Sequence, residues 1–465
     1  MRGEIKLRIE KDTLGNVKLP DNVYYGAQTM RAVDNFPISG LSLPRGFIRA
    51  QGIVKLAAAR ANSGLGMLSK KIAKALEKAS MEVIKGKFDK HFVVDVYQAG
   101  AGTSQNMNAN EIIANRAIEI LGGKKGDYSI IHPNDHVNMA QSTNDTIPAS
   151  IYISSYEAVR DDLIPALKGL MSALQLKSRA FDKIVKSGRT HLQDAVPIRL
   201  GQEFSGYAES VNNDMNRVRT ASMALLNLPI GGNALGTGIN AHPKFKNSVI
   251  KEIRKITGIR FKGSRNLFEG IQNIYPALEL SASLRGVAVT LTKIANDLRL
   301  LSSGPRTGFA EIRLPSVQPG SSIMPGKVNP VMAEMLNMVC YQVMGNDTAI
   351  SYATQASQLE LNVMMPMIAY NLLFSLQILS NGITAFTHRC VKGIEADTKK
   401  CNDYAEITLA MATALNPVIG YASAADVSKE AYKTGRTARQ IAVERGILSE
   451  ENARRILDPS RLTGR

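Results

Sequence analysis

Leu284, Val287, Leu291, Ile294, Leu298 and Leu301 recur at steps of three and four residues. That spacing places all six on one face of an α-helix over residues 276–301. A stripe so long must be covered by other helices, because a strand would send alternate members to opposite faces. Val159, Leu163, Leu167, Leu170 and Leu174 repeat the pattern, although Pro165 should kink or start that helix. Repeated three-and-four spacing is what helices need to interlock in a bundle. The side chains available agree with it: Trp is absent and aromatics make up only 6%. The core must rest on Leu, Ile, Val, Met and Ala, which suits packed helices better than a sandwich or barrel. The expected fold class is mainly α. At 465 residues the chain has length for two or three domains. Residues 1–45, rich in Gly15, Pro20, Gly26, Pro37, Gly40 and Pro44, read as an irregular opening segment.

Lys and Arg outnumber Asp and Glu by 57 to 40, a formal charge of +17. Such a balance suits nucleic acid, an anionic membrane or acidic substrates, and equally a basic surface of no special purpose. The cations come at most in doublets such as Lys70-Lys71 and Lys399-Lys400, with neither zinc-finger spacing nor an aromatic RNA-stacking signature. The sequence therefore points to neither a nucleic-acid nor a membrane partner. Cys340, Cys390 and Cys401 are too few and scattered for a disulfide framework or a four-cysteine metal site; buried free thiols in a reducing cytosol are expected. Arg2, Glu4 and Lys6 follow Met1 directly, without the apolar stretch of a signal peptide, and no run reaches the ~20 apolar residues of a membrane span. The expected location is the cytoplasm.

Between the helical stretches lie five blocks of unusual composition: GAGTSQNMNAN (100–110), HPNDHVNMAQSTND (132–145), GRTHLQDAVP (188–197), GGNALGTGIN (231–240) and GSSIMPGKVNP (320–330). Each joins Gly to hydrogen-bonding side chains, and loops carried on a rigid scaffold are where function gathers. In the last, Lys327 and Asn329 offer a cation and an amide beside the hydroxyls of Ser321 and Ser322, a flexible clamp for a carboxylate. It is not a phosphate loop, since Val328 follows Lys327 where Ser or Thr is required. Thr103, Ser142, Thr143, Asn144 and Thr190 add neutral donors, and His191 suits hydrogen bonding or proton transfer. Taken singly, each of these is as well explained as a turn or cap residue; their accumulation favours a binding site. His132 and His136 stand four apart with Pro133 between them and no H-E-x-x-H motif, so no metal is expected.

GSSIMPGKVNP (320–330) resembles the signature segment of the fumarase/aspartase superfamily. The resemblance runs along nearly the whole chain through YYGAQT (24–29), QSTND (141–145), GRTHLQDAVP (188–197), NDLRLLSSGPR (296–306) and LELNVM (359–364). It implies a three-domain, nearly all-helical subunit with a long central helix bundle, divided here at 1–140, 141–395 and 396–465. It implies further a homotetramer in which each active site draws its blocks from three subunits, and a reaction on a small dicarboxylate (aspartate, fumarate or malate) without cofactor. A base removes a proton from the carbon beside one carboxylate, donors stabilise the resulting enolate-like dianion, and ammonia or water leaves.

Carried over by resemblance, Ser321 is the base, which requires nearby N–H groups to lower its pKa. Lys327, Asn329 and Thr190 clamp one carboxylate. Thr103, Ser142 and Thr143 surround the other, where charge builds up. Asn144 and His191 face the departing group, and Glu334 is the acidic partner of His191. Ala101, Thr143, VDVYQ (94–98) and QPGSSIMPGKVNPVMAE (318–334) resemble the ammonia-lyase branch acting on aspartate. GAQT (26–29), HPND (132–135), FSGY (204–207) and CYQVMGND (340–347) resemble the hydratase branch, in which HPND matches a second carboxylate site outside the active site. Asn233 departs from both patterns, where Thr is usual. Residues expected to touch substrate weigh more than those that track ancestry, so the ammonia-lyase is the reading taken. Hydration of fumarate is its alternative, and an inactive structural member the alternative of another class.

Overall fold

The computed structural model describes residues 6–464, so the charged opening at Arg2 and Glu4 lies outside it. Two strands, β1 (Leu7–Asp12) and β2 (Gly15–Pro20), open it. Helices α1 (Ala27–Asn35), α2 (Arg45–Gly64), α3 (Lys70–Ile84), α4 (Thr103–Ile120), α5 (Thr143–Ala158) and α6 (Ile164–Ala180) come after them. A hairpin of β3 (Val185–Thr190) and β4 (Gln193–Arg199) leads into α7 (Leu200–Ser222), α8 (Phe245–Thr257) and α9 (Leu267–Gln272). Three long helices come next: α10 (Tyr275–Leu301), α11 (Val331–Gln355) and α12 (Met365–Arg389). The C-terminal region holds α13 (Thr398–Ile407), α14 (Asn416–Thr434), α15 (Ala438–Glu444) and α16 (Glu450–Ile456). The fold is mainly helical, as the periodicity predicts.

The chain forms two compact units. One takes the described part of Met1–Ile164 with Asn216–Gly286 and Tyr341–Leu379; the other takes Pro165–Met215, Val287–Cys340 and the described part of Ser380–Arg465. In the first, α2 packs against α3, α5 and α8, and α3 against α4. Small residues on α2 (Ala57, Ala58, Ala61) and Leu76, Ala79, Ile112 and Ile113 on its neighbours are almost wholly buried. Gly52 on α2 lies so near Ile84 that a Cβ there would come within 2.9 Å of its side chain. Helix–helix distance on this side is set by the absence of a side chain. In the second unit, α14, α15 and α16 bury Leu415, Val427, Ile441, Ala453 and Leu457.

The stripe over 276–301 is α10, and Leu284, Val287, Leu291, Ile294, Leu298 and Leu301 are all at most 5% exposed. Pro165 stands second in α6, within its first turn. The backbone stays helical, with π-type spacing over Val159–Leu163 just before it. A wider turn accommodates a residue that lacks an N–H and crowds the preceding turn. The opening segment is a correction: residues 7–20 form an antiparallel hairpin in register from Leu7–Pro20 to Asp12–Gly15, and 27–35 are helical. Asp12 Oδ1 accepts from Leu14 N at 2.9 Å, and Gly15 takes φ +117°, so the turn formers close a hairpin instead of a coil. The three cysteines are free and buried. No single helix among the described residues is long and apolar enough to cross a membrane.

Candidate active site

The candidate residues divide between the two units. In the first, Thr103 opens α4 and is exposed, its Oγ1 donating to Gly100 O at 3.4 Å. Ahead of it Ala101 takes φ +59° and Gly102 φ +86°, and Ala101 N donates to Val363 O at 3.0 Å. Gly102 has no side chain to cap α4, and Gln98 Oε1 accepts from Gln105 N at 2.7 Å, which leaves the amides of Thr103 and Ser104 to meet an anion. Ser142 is the N-cap of α5 in a capping box, its Oγ accepting from Asn144 N and its own N–H reaching Asp145 Oδ1 at 3.0 Å. Thr143 Oγ1 accepts from Asn106 Nδ2 at 3.2 Å. Asn106 stands one turn beyond Thr103 on α4, so this bond ties the two blocks together.

Asp145, fully buried, accepts from Gly231 N at 3.0 Å and Asn233 N at 2.9 Å, and Asn144 Nδ2 donates to Ala234 O at 2.9 Å. The 141–145 and 231–240 blocks are thereby held as one piece. Asn233 takes φ +57° and its Nδ2 donates to Ile239 O at 2.8 Å. Asn suits this left-handed backbone better than a β-branched residue would.

In the second unit, Thr190, His191 and Leu192 form the tip of the β3–β4 hairpin, with Thr190 paired to Gln193. His191 (φ +56°) and Leu192 (φ +58°) are both left-handed and exposed, the geometry of a two-residue turn normally given to Asn-Gly. Buried ionic contacts anchor its base: Glu311, with no exposure, accepts from Arg189 at 2.9 Å and lies 3.3 Å from Lys186, which also meets Glu203 at 2.8 Å. A rigid stem holding an unfavourable tip is how a functional side chain is presented.

The 314–330 segment has no regular structure and closes on itself. Gly320 N donates to Lys327 O at 2.9 Å, and Asn329 Nδ2 to Gly320 O at 2.7 Å. A Cβ on Gly320 would sit 2.3 Å from Lys327 O, so this crossing admits only glycine. Inside the turn Ser321 Oγ accepts two backbone N–H groups, from Met324 at 2.9 Å and Ile323 at 3.3 Å. Lys327 is exposed, and among the described residues its ammonium has no partner. Glu334 stands in the first turn of α11. Within one chain no hydrogen bond or ion pair among the described residues joins Glu334 to His191, or the hairpin tip to the 320–330 loop.

Sequence reading missed the polar residues beneath the first-unit blocks, Lys55 and Asn106 buried and Asn138 half-buried. Lys55, inside the apolar helix α2, donates to Asn138 Oδ1 at 2.9 Å, and Asn106 Nδ2 meets the same oxygen at 3.2 Å. Burial lowers Lys55 to about 7 and raises Asp145 to about 7. A lone charge interrupting GIVKLAAA is the signal that was there to find.

Long helices joined by loops rich in glycine and hydrogen-bonding side chains fit a class of helical lyases. A family model described as Lyase matches residues 15–345, and one described as Fumarase C C-terminus matches 411–464. Aspartate ammonia-lyase of Bacillus subtilis is 47% identical over 100% of this chain and 97% of its own length. Fumarate hydratase class II of Halobacterium salinarum is 49% identical over 98% and 97%. Among solved structures, class II fumarase from Schistosoma mansoni superposes with a TM-score of 0.96 at 36% identity, covering 98% of this chain and 99% of that one. The chain belongs to the fumarase/aspartase superfamily of lyases.

Proposed function

We propose that this protein is an aspartate ammonia-lyase, eliminating ammonia from L-aspartate to give fumarate, reversibly and without cofactor. The observation that carries the chemistry is the pair of backbone N–H groups on Ser321 Oγ. A serine serves as base only when its alkoxide is stabilised, and two fixed amides supply that without a metal. Ser321 takes the C3 proton of aspartate. The electron pair passes into the adjacent carboxylate as an aci-carboxylate dianion, held by Thr103, Ser142 and Thr143. Collapse of the dianion expels the amine on the opposite face, with Asn144 and His191 beside it and Glu334 setting His191. Lys327, Asn329 and Thr190 hold the distal carboxylate. Asn329 Nδ2 keeps one hydrogen for that purpose after bonding Gly320 O.

Two positions favour the amine over the hydroxyl substrate: Ala101 and Thr143, which flank the dianion side of the site. The second reading, hydration of fumarate to L-malate, draws on the similar identity to relatives of both names and on the hydratase-like HPND (132–135), which would serve as a second carboxylate site. An inactive structural role is disfavoured by the intact Ser321, Lys327, Asn329 and His191.

A homotetramer completes the site from three subunits, each divided into parts at 1–140, 141–395 and 396–465. Support comes from apolar side chains exposed along the long helices, Val289 at 56%, Met338 at 67% and Tyr352 at 66% among them, surface that self-association would cover. The reading places the protein in the cytoplasm.

The test is fumarate absorbance with purified protein, L-aspartate in one cuvette and L-malate in the other. Fumarate from aspartate alone is the expected result, and from malate alone would replace the ammonia-lyase with the hydratase. Ser321→Ala should lower kcat by about a thousandfold on the active substrate; an unchanged rate would remove Ser321 as the base.

A further inference from the structure

Hydroxyl groups bind a carboxylate only with their proton, and a threonine has one. Which way Thr143 aims its proton is decided beneath it. Charged or neutral, Lys55 carries N–H donors, and Asn138 turns its Oδ1 toward Lys55 Nζ, 2.9 Å away; the bond from Asn138 Nδ2 to Gln141 O at 3.2 Å holds the same orientation. The same Oδ1 demands a donor from Asn106, whose Nδ2 meets it at 3.2 Å. The other amide hydrogen of Asn106 goes to Thr143 Oγ1 at 3.2 Å, and its Oδ1 lies 3.3 Å from Thr146 Oγ1, whose proton has a nearer acceptor in Ser142 O at 2.9 Å. Lys55 and the Gln141 carbonyl together set Asn138, and Asn138 sets Asn106. Thr143 Oγ1 is left as an acceptor inward, and among the described residues its proton has no partner. Lys55 and Asn106 are each 2% exposed and Thr143 9%, while Asn138 between them is half-buried.

We infer that Lys55 is a positioning residue for catalysis, acting through Asn138 and Asn106 to fix the Thr143 hydroxyl as a donor to the substrate carboxylate on which negative charge develops. The inference rests on the proposed role of Thr143 in the reaction above. Without Lys55, only the Gln141 carbonyl holds Asn138; when both amides turn over, Asn106 presents its oxygen to Thr143, and the proton is drawn inward. The substrate carboxylate then faces a lone pair instead of a donor. Asp145, the buried carboxylate whose charge acts on Lys55, offsets the cost of keeping a cation there but bonds none of the three links.

A double-mutant cycle on the purified assembled enzyme tests this, with initial rates on L-aspartate and L-malate for Lys55→Met, Thr143→Val and the pair together. Each single change should lower kcat by about ten- to a hundredfold, the worth of one bond to a developing charge, with KM moving far less because that charge is greatest in the transition state. The pair together should be no worse than the more damaged single variant. If Lys55→Met does not fold, Asn106→Asp takes its place in the cycle. It keeps the shape and reverses the direction, since a carboxylate can only accept. Multiplied losses in the pair, or an unchanged kcat in both Lys55→Met and Asn106→Asp, overturn the relay while leaving the lyase reading intact. A wild-type enzyme silent on both acids overturns the proposed function, and the inference falls with it.

Discussion

Glu82, on α3, is held by the Arg116 guanidinium at 2.6 Å, with Lys87 at 3.5 Å and Glu119 sharing the arginine at 3.1 Å. The Arg116 bond outweighs burial and lowers the carboxyl below its ordinary value of 4.5. The unfolded chain therefore takes up the proton first. The stability this pair contributes is complete above about pH 5 and disappears as pH falls through the folded-state value. Glu82→Gln should cost about 1–3 kcal/mol at pH 7, and urea midpoints should show the gap to wild type closing as pH falls below 4.5. A gap independent of pH would mean that packing, and not charge, is what the substitution removes. The burial of neither this pair nor Lys55 could be read from sequence, although the lone charge in GIVKLAAA marks Lys55 as unusual. A charge in a helical stretch reads as solvated surface, and only the fold shows that Lys55 faces the helices packed on α2. Ser321, by contrast, stood out because Gly320, Ser322, Gly326 and Lys327 surround it in a composition no ordinary loop needs.

At the level of elements, the β3–β4 turn keeps two side chains in a conformation that costs L-residues about 1 kcal/mol or more apiece. Leu192 is 66% exposed, so little packing offsets its share. Leu192→Asn should raise stability by about 0.5–1 kcal/mol, seen as a higher urea midpoint; a lower midpoint would mean that the leucine is packed in the working assembly. Helices were the part of the fold most open to sequence reading, because α10 repeats its apolar spacing over many turns. The β1–β2 hairpin was not, since Gly15 and Pro20 forbid a continuous helix without selecting a hairpin over a coil. The π-type turn at Val159–Leu163 was equally hidden: Pro165 announces a disturbance, and how the backbone absorbs it depends on what packs there.

For the whole molecule, a site assembled from several chains makes a sharp expectation. Ser321→Ala and Asn144→Ala, each nearly inactive alone, should regain activity when unfolded together and refolded as mixed oligomers. Random mixing would give about a quarter of sites both intact blocks if these come from different subunits. Light scattering should show four chains. No recovery from a properly formed mixed tetramer would place both blocks in one chain and withdraw the shared site. Sequence periodicity announces a helical subunit, whereas which chain supplies which loop is a property of assembly that no local pattern encodes.

The bonds from Asp145 to Gly231 and Asn233, together with that from Asn144 to Ala234, also bear on how such an enzyme can be altered. Two stretches nearly ninety residues apart share one carboxylate, so they must be inherited or exchanged as a set. A graft that imports a relative's 231–240 loop should bring its 141–145 segment along. A library aimed at new substrates does best to randomise the exposed Leu235 and Thr237, leaving in place the three amide contacts and Gly236, where a Cβ would come within 2.8 Å of Phe268.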